Sequence, residues 1–158
     1  MSVIAIDLAM EHLRADPDDQ VLVQSQLDAA EESAMKFLNR RFYFDQASLE
    51  QAKGTVQALM QQAKAANAAA VSAAEAEQDQ TLRFRLLDHA REALADAYDS
   101  ADAVAYGMVV TPSIQAACLL KLGHLYANRE EVVTTGSASE LPLASQHLLM
   151  PHRIRMGV

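Results

Sequence analysis

Cysteine occurs once in the 158 residues, at position 118. No disulfide can form within the chain, and the place of Cys118 inside an apolar run reads as a buried thiol in a reducing compartment. Proline stands only at positions 17, 112, 142 and 151, so the long span between the first two lacks the strongest helix breaker. Glycine occurs five times, scattered, with no GxxxxGK[ST] or GxGxxG arrangement to cradle a phosphate. The opening MSVIAIDLAMEHL has neither the basic region nor the sustained apolar stretch of a secretory signal, and no run reaches the length of a membrane span. The expectation is a protein that stays in the cytosol where it is made, with no membrane partner.

Bases are also in short supply. The formal net charge is -8, which argues against wrapping nucleic acid by phosphate neutralisation. The acidity is uneven. Residues 1–45 carry nine acids and four bases, residues 46–105 nine and five, and residues 106–158 three and four.

What remains is a helix-forming sequence. The spacing predicts a short first helix ending near Arg14, then ADPDD as aspartate caps with a proline suited to a first turn. A second helix runs to about Asn39, burying Val23, Leu27, Ala30, Ala34 and Phe37, with Asp28, Glu31 and Glu32 on the other face. Residues 46–105 hold nineteen alanines and one glycine. Alanine is the best intrinsic helix former, and Leu49, Ala52, Val56, Leu59, Ala63, Ala66, Ala70 and Ala73 alternate spacings of three and four, a coiled-coil seam of small side chains. The pattern lapses through EAEQDQ and resumes in another phase at Leu87, Ala90, Leu94, Ala97, Ala101 and Val104. An antiparallel hairpin with its tip near 75–80 accounts for the lapse; one continuous rod is the alternative.

YGMVVTPS then marks a change of path. Gly107 breaks the helix, Val109 and Val110 favour extended backbone, and Thr111-Pro112 is an N-cap with proline at the first helical position. The helix from Pro112 is apolar around most of its circumference, which makes it central to the fold or shared with another subunit. Gly123 inside it points to close contact with another helix. TTGSASELP reads as a loop, Leu143–Met150 as a short helix, and HRIRMGV as a basic extended tail. The expected fold is therefore all-α: a small helical bundle core from residues 1–45 and 106–158, with an inserted Ala-rich helical hairpin at 46–105.

Candidate chemistry is sparse. The five histidines form no HExxH or ligand ladder, so no metal site or other cofactor is expected. Cys118 and His124 are six positions apart, about 9 Å along a helix and on different faces, which does not make a nucleophile and base. Arg40 and Arg41 beside Phe42, Tyr43 and Phe44 could stack bases or hold phosphates. They also suit a helix end, with cations at its negative pole and aromatics turned inward. His152, Arg153 and Arg155 give the tail its positive character.

Three stretches carry a likeness: AMEHLRADPDDQVLVQSQLDAAEESAMKFLNRRF, TPSIQAACLLKLGHLYANREEVV and LPLASQHLLMPHRI. Together they resemble the head-tail connector, or adaptor, family of tailed bacteriophages and prophages, with the alanine-rich insertion outside the usual pattern. The resemblance implies a non-catalytic structural protein of the virion neck, present in the host cytoplasm during assembly. It implies a homo-oligomeric ring beneath the portal protein that extends the DNA channel and docks head-closure or tail proteins. Double-stranded DNA would pass through without sequence-specific binding. Tyr126, Asn128, Arg129 and Glu130, at the end of the helix, become candidate assembly residues with Arg40, Arg41, Arg153 and Arg155. A helical interaction module in which the hairpin binds a partner helix is the other reading.

Overall fold

The computed structural model describes residues 2–128 and 144–154. It is an all-α protein. In chain order the helices are α1 (Ile6–Leu13), α2 (Gln20–Leu38), α3 (Gln46–Glu75), α4 (Gln80–Ala105), α5 (Pro112–Ala127) and α6 (Ala144–Leu149). Two two-residue strands, β1 (Phe42–Tyr43) and β2 (Met108–Val109), pair in parallel, with Phe42 opposite Met108 and Tyr43 opposite Val109. Among the described residues, no helix is long and apolar enough to cross a membrane.

The chain divides into two compact units, one from residues 1–45 and 108–158, the other from 46–107. The first unit is built on α2 and α5. Val23, Leu27, Ala30, Ala34 and Leu38 of α2 pack with Ile114, Ala117, Cys118, Leu119 and Leu122 of α5, joined by Ile4, Ala9, Phe42 and Leu149. Each large aliphatic side chain taken from water here contributes about 1.5–3 kcal/mol. Thr111 caps α5 through its hydroxyl, which accepts from the Ile114 amide, and Pro112 occupies the first helical position.

Some expectations change on this scaffold. Asp16 precedes and Asp19 ends a single 3-10 turn at Pro17–Asp19, and neither carboxylate caps a helix. Asp19 instead accepts from the Tyr126 hydroxyl on α5. Glu31, expected on the solvent face, is 2% exposed. It sits four residues after Leu27 on the buried stripe, and its carboxylate accepts from the Val3 amide (2.9 and 3.1 Å) and the Ile4 amide (2.8 Å). Two backbone donors with no helical partner are thereby satisfied inside the core. Burial pushes the Glu31 carboxyl above its ordinary pKa, and the two amide bonds only partly oppose this. At Gly123, an added methyl group would lie 3.9 Å from the His12 ring and 4.0 Å from Leu13 of α1, ordinary van der Waals contact. Glycine is not demanded there.

In the second unit α3 and α4 pack against each other and are joined by residues 76–79. The turn explains itself chemically. Glu77 accepts from the Gln78 and Asp79 amides at 2.8 and 3.1 Å, and Asp79 caps α4 by accepting from Thr81 and Leu82 at 2.8 and 3.2 Å. On α4 the expected seam holds, with Ala90 and Ala101 buried and Leu87, Leu94, Ala97 and Val104 partly covered. On α3 it does not. Leu49 is buried and Ala52, Val56 and Ala63 are partly covered, but Leu59, Ala66, Ala70 and Ala73 are exposed, while Met60, Asn67, Val71 and Ala74 take the covered positions. A 3.5-residue repeat on a 3.6-residue helix drifts about 20° per heptad, and over this stretch the stripe walks about 70° off the contact.

Candidate assembly surface

The basic residues singled out from sequence gather where α2 ends. Asn39 terminates the helix in the left-handed conformation (φ 56°), its amide donating to the Lys36 carbonyl. Its side chain donates to the Ile154 carbonyl at 3.1 Å, while the Ile154 amide donates to Leu38 at 3.3 Å. Arg40 donates to the His152 carbonyl at 3.2 Å, and the His152 ring lies 3.0 Å from the Ser113 hydroxyl at the start of α5. The Arg153 guanidinium stacks 4.8 Å from the centre of the Phe37 ring, a cation–π contact. Residues 152–154 are thus stitched onto the negative pole of α2, where cations are favoured. Arg40 and Arg153 serve that clasp. Arg41 has an exposed side chain, and its carbonyl accepts from the Met108 amide at 2.9 Å, fixing β1 to β2. Phe42 turns into the core, whereas Phe44 is 77% exposed.

Tyr126 and Asn128 stand at the opposite end of α2. The Tyr126 hydroxyl reaches Asp19, which immediately precedes that helix. Asn128 closes α5 by donating to the His124 carbonyl at 2.9 Å, and its amide nitrogen lies 2.9 Å from the His124 ring. Nineteen residues of α2 separate this end from the arginines, about 28 Å at ~1.5 Å per residue. The candidates therefore form two clusters and not one. Arg129, Glu130 and Arg155 lie outside the described residues.

Between the two clusters, α2, α5 and α6 enclose a groove of about 380 Å³. Ala34, Ala117 and Leu120 give it an apolar lining, and Lys121 and His124 supply polar groups. Lys121 donates to the Ser33 hydroxyl across the groove. Leu120 is partly exposed here, so the helix read as apolar almost all round is covered on its α2 side and open on this one. Val21 and Leu22 add exposed apolar surface at the start of α2.

Cys118 is 1% exposed, and burial pushes its thiol up to about 12. It therefore keeps its proton at neutral pH, and the thiolate is the nucleophile in cysteine chemistry. The stacked arginine and the hydrogen bonds where α2 ends are made within the chain, and the exposed apolar area lies at Val21, Leu22, Phe44 and Leu120. Sequence reasoning overlooked Glu31 and the strand pair. The first had a usable signal in its four-residue spacing from Leu27; for the second, Val109 and Val110 signalled extended backbone at β2, but nothing local signalled its pairing with β1. No family model, curated protein or solved structure matches this chain.

Proposed function

We propose that the chain is a structural connector of a tailed-phage or prophage neck. Protomers form a ring beneath the portal, extend the DNA channel and dock the next neck or tail protein. No reaction is assigned, and the site of action is the virion neck after assembly in the host cytoplasm. One observation carries this reading. The described parts of the three stretches that resemble the connector family, far apart in sequence, converge in a single compact unit around α2 and α5, and residues 46–107 form a separate one. The insertion leaves after β1 and returns at β2, which are hydrogen-bonded neighbours, so the first unit is closed without it. The exposed apolar residues Val21, Leu22, Leu120 and Phe44 give a ring protomer material for contacts with its neighbours. A net charge of -8 suits a conduit through which DNA slides without being held, provided that acids line the lumen.

The test is co-assembly with the purified portal protein of the same phage or prophage, followed by negative-stain imaging. A closed ring stacked on the portal supports the assignment. Failure to bind the portal, with no ring formed by the chain alone, overturns it in favour of an interaction module.

A further inference from the structure

The second unit is short of buried surface. Of the apolar side chains in residues 46–107 only Leu49, Ala74, Ala90 and Ala101 are buried. Meanwhile Leu59, Leu82 and Leu86 are 39%, 46% and 37% exposed. At about 100° per residue, the part of the α3 stripe that drifts off the contact, Leu59, Ala66, Ala70 and Ala73, comes to the same side of the helix pair as Leu82, Leu86 and Ala93 of α4. Lys64, Glu75 and Arg91 fall on the reverse side. The result is a face of leucines and alanines with His89 within it, while Phe84 (58% exposed) and Tyr98 (37%) lie on the reverse side beside Arg91. Such a leucine- and alanine-lined face is a surface that a helix pair covers by packing on another.

We infer that this face is covered by the same face of a second copy of the chain, the two helix pairs lying antiparallel as a four-helix assembly. Size supports this occupant. Helices of 30 and 26 residues are about 40–45 Å long at ~1.5 Å per residue, and two side by side are about 20 Å wide. The face thus offers roughly 800–900 Å² per copy, the area of a standard stable interface at about 800 Å² per partner. Shape supports the direction. Leu59 and Ala93 lie near the middles of their helices, so a two-fold axis there sets each residue close to its own copy. The bulky end of the face, Leu82 and Leu86, then meets the small end of the partner, around Ala52, Ala97 and Ser100. Such an interface is isologous, closing as a dimer. It is distinct from the head-to-tail contacts of a ring and does not rest on the connector reading.

Full-length protein carrying Leu59→Cys tests the pairing, since the native Cys118 is buried. Mild oxidation is expected to give a rapid disulfide-linked dimer, while Lys64→Cys on the reverse side gives none. In sedimentation equilibrium of the wild type without portal, a two-fold step in mass is expected. Leu82→Glu with Leu86→Glu should raise the dissociation constant of that step at least about tenfold, because two large apolar contacts are replaced by buried, unpaired charges. Circular dichroism checks that the helices remain. Cross-linking through Lys64→Cys in preference to Leu59→Cys, or a strictly monomeric wild type at tens of micromolar, overturns the proposal. A portal-bound ring with no Leu59→Cys cross-link would reject this pairing and leave the connector assignment standing.

Discussion

Glu31 is the residue on which the first unit turns. It is a carboxylate inside an apolar core, and its partners are backbone amides that would otherwise be stranded. Glu31→Ala removes the acceptor and leaves the buried Ile4 amide unpaired, which costs about 1–3 kcal/mol, with a smaller cost at the half-buried Val3 amide. Chemical denaturation of that variant should show a loss of about 2 kcal/mol. Glu31→Gln keeps one oxygen facing both amides and removes the desolvated charge, so a much smaller change is expected. The pH dependence has a defined sign. Because the folded-state pKa is raised, the native state holds the proton more tightly than the unfolded chain. The contribution of Glu31 is thus fully present below the ordinary glutamate pKa and is lost as pH rises through the raised value. Wild-type stability minus that of Glu31→Gln should fall across that window, and a flat difference would refute the linkage. The two helical glycines make a second comparison. Gly54 has open space around its α-carbon and Gly123 ordinary contacts, so alanine at either should stabilise by up to about 1 kcal/mol. Thermal melts of both variants read this directly, and a lowered midpoint for Gly123→Ala would mean that α1 cannot tolerate the methyl group.

Among the elements, the paired helices α3 and α4 depend on local chemistry more than on burial. Alanine propensity supplies the helices and the Glu77–Asp79 turn sets their register, but the contact between them is thin. Removing the cap should consequently be felt. Asp79→Ala is expected to cost about 1 kcal/mol and to raise amide exchange first in residues 80–85 of α4; unchanged exchange there would show that packing, and not the cap, fixes the turn. The drift of the α3 stripe is the other lesson of this element. A heptad pattern specifies a straight seam only when the helices supercoil to follow it. The α3 seam departs from that path, and the stripe is shared between the α4 contact and an exposed face.

For the whole molecule, the division into two units predicts separable behaviour. Replacing residues 46–107 with a flexible linker of about eight residues, long enough to run back past the two-residue strands at ~3.3 Å per residue, should leave a folded first unit with cooperative unfolding. Loss of cooperative unfolding would show that the first unit needs the insertion. The shortened chain should also lose the two-fold association assigned to the helix pair. Under the connector reading it should assemble on the portal less well than the full chain, and equal assembly would remove the insertion from that role.

Helix content and order were legible in the amino-acid sequence because they follow from local rules. Sparse proline, abundant alanine, the Thr111-Pro112 start and the lapse after Glu75 each act over a few residues. The inward positions of α4, and Val23, Leu27, Ala30 and Ala34 of α2, were legible for the same reason, since periodicity selects a face; Leu38, and not Phe37, takes the last fully buried place of α2, and Glu31 joins it. Tertiary structure decided what depends on a partner distant in sequence. Glu31 is buried because the amides of Val3 and Ile4 arrive beside it, and Asp19 meets Tyr126 because α5 runs back along α2. Arg40 and Arg153 share one clasp, while Tyr126 and Asn128 stand a helix length away. Sequence spacing specifies which side of a helix a residue occupies, but the atoms that meet it there are set only when distant segments pack.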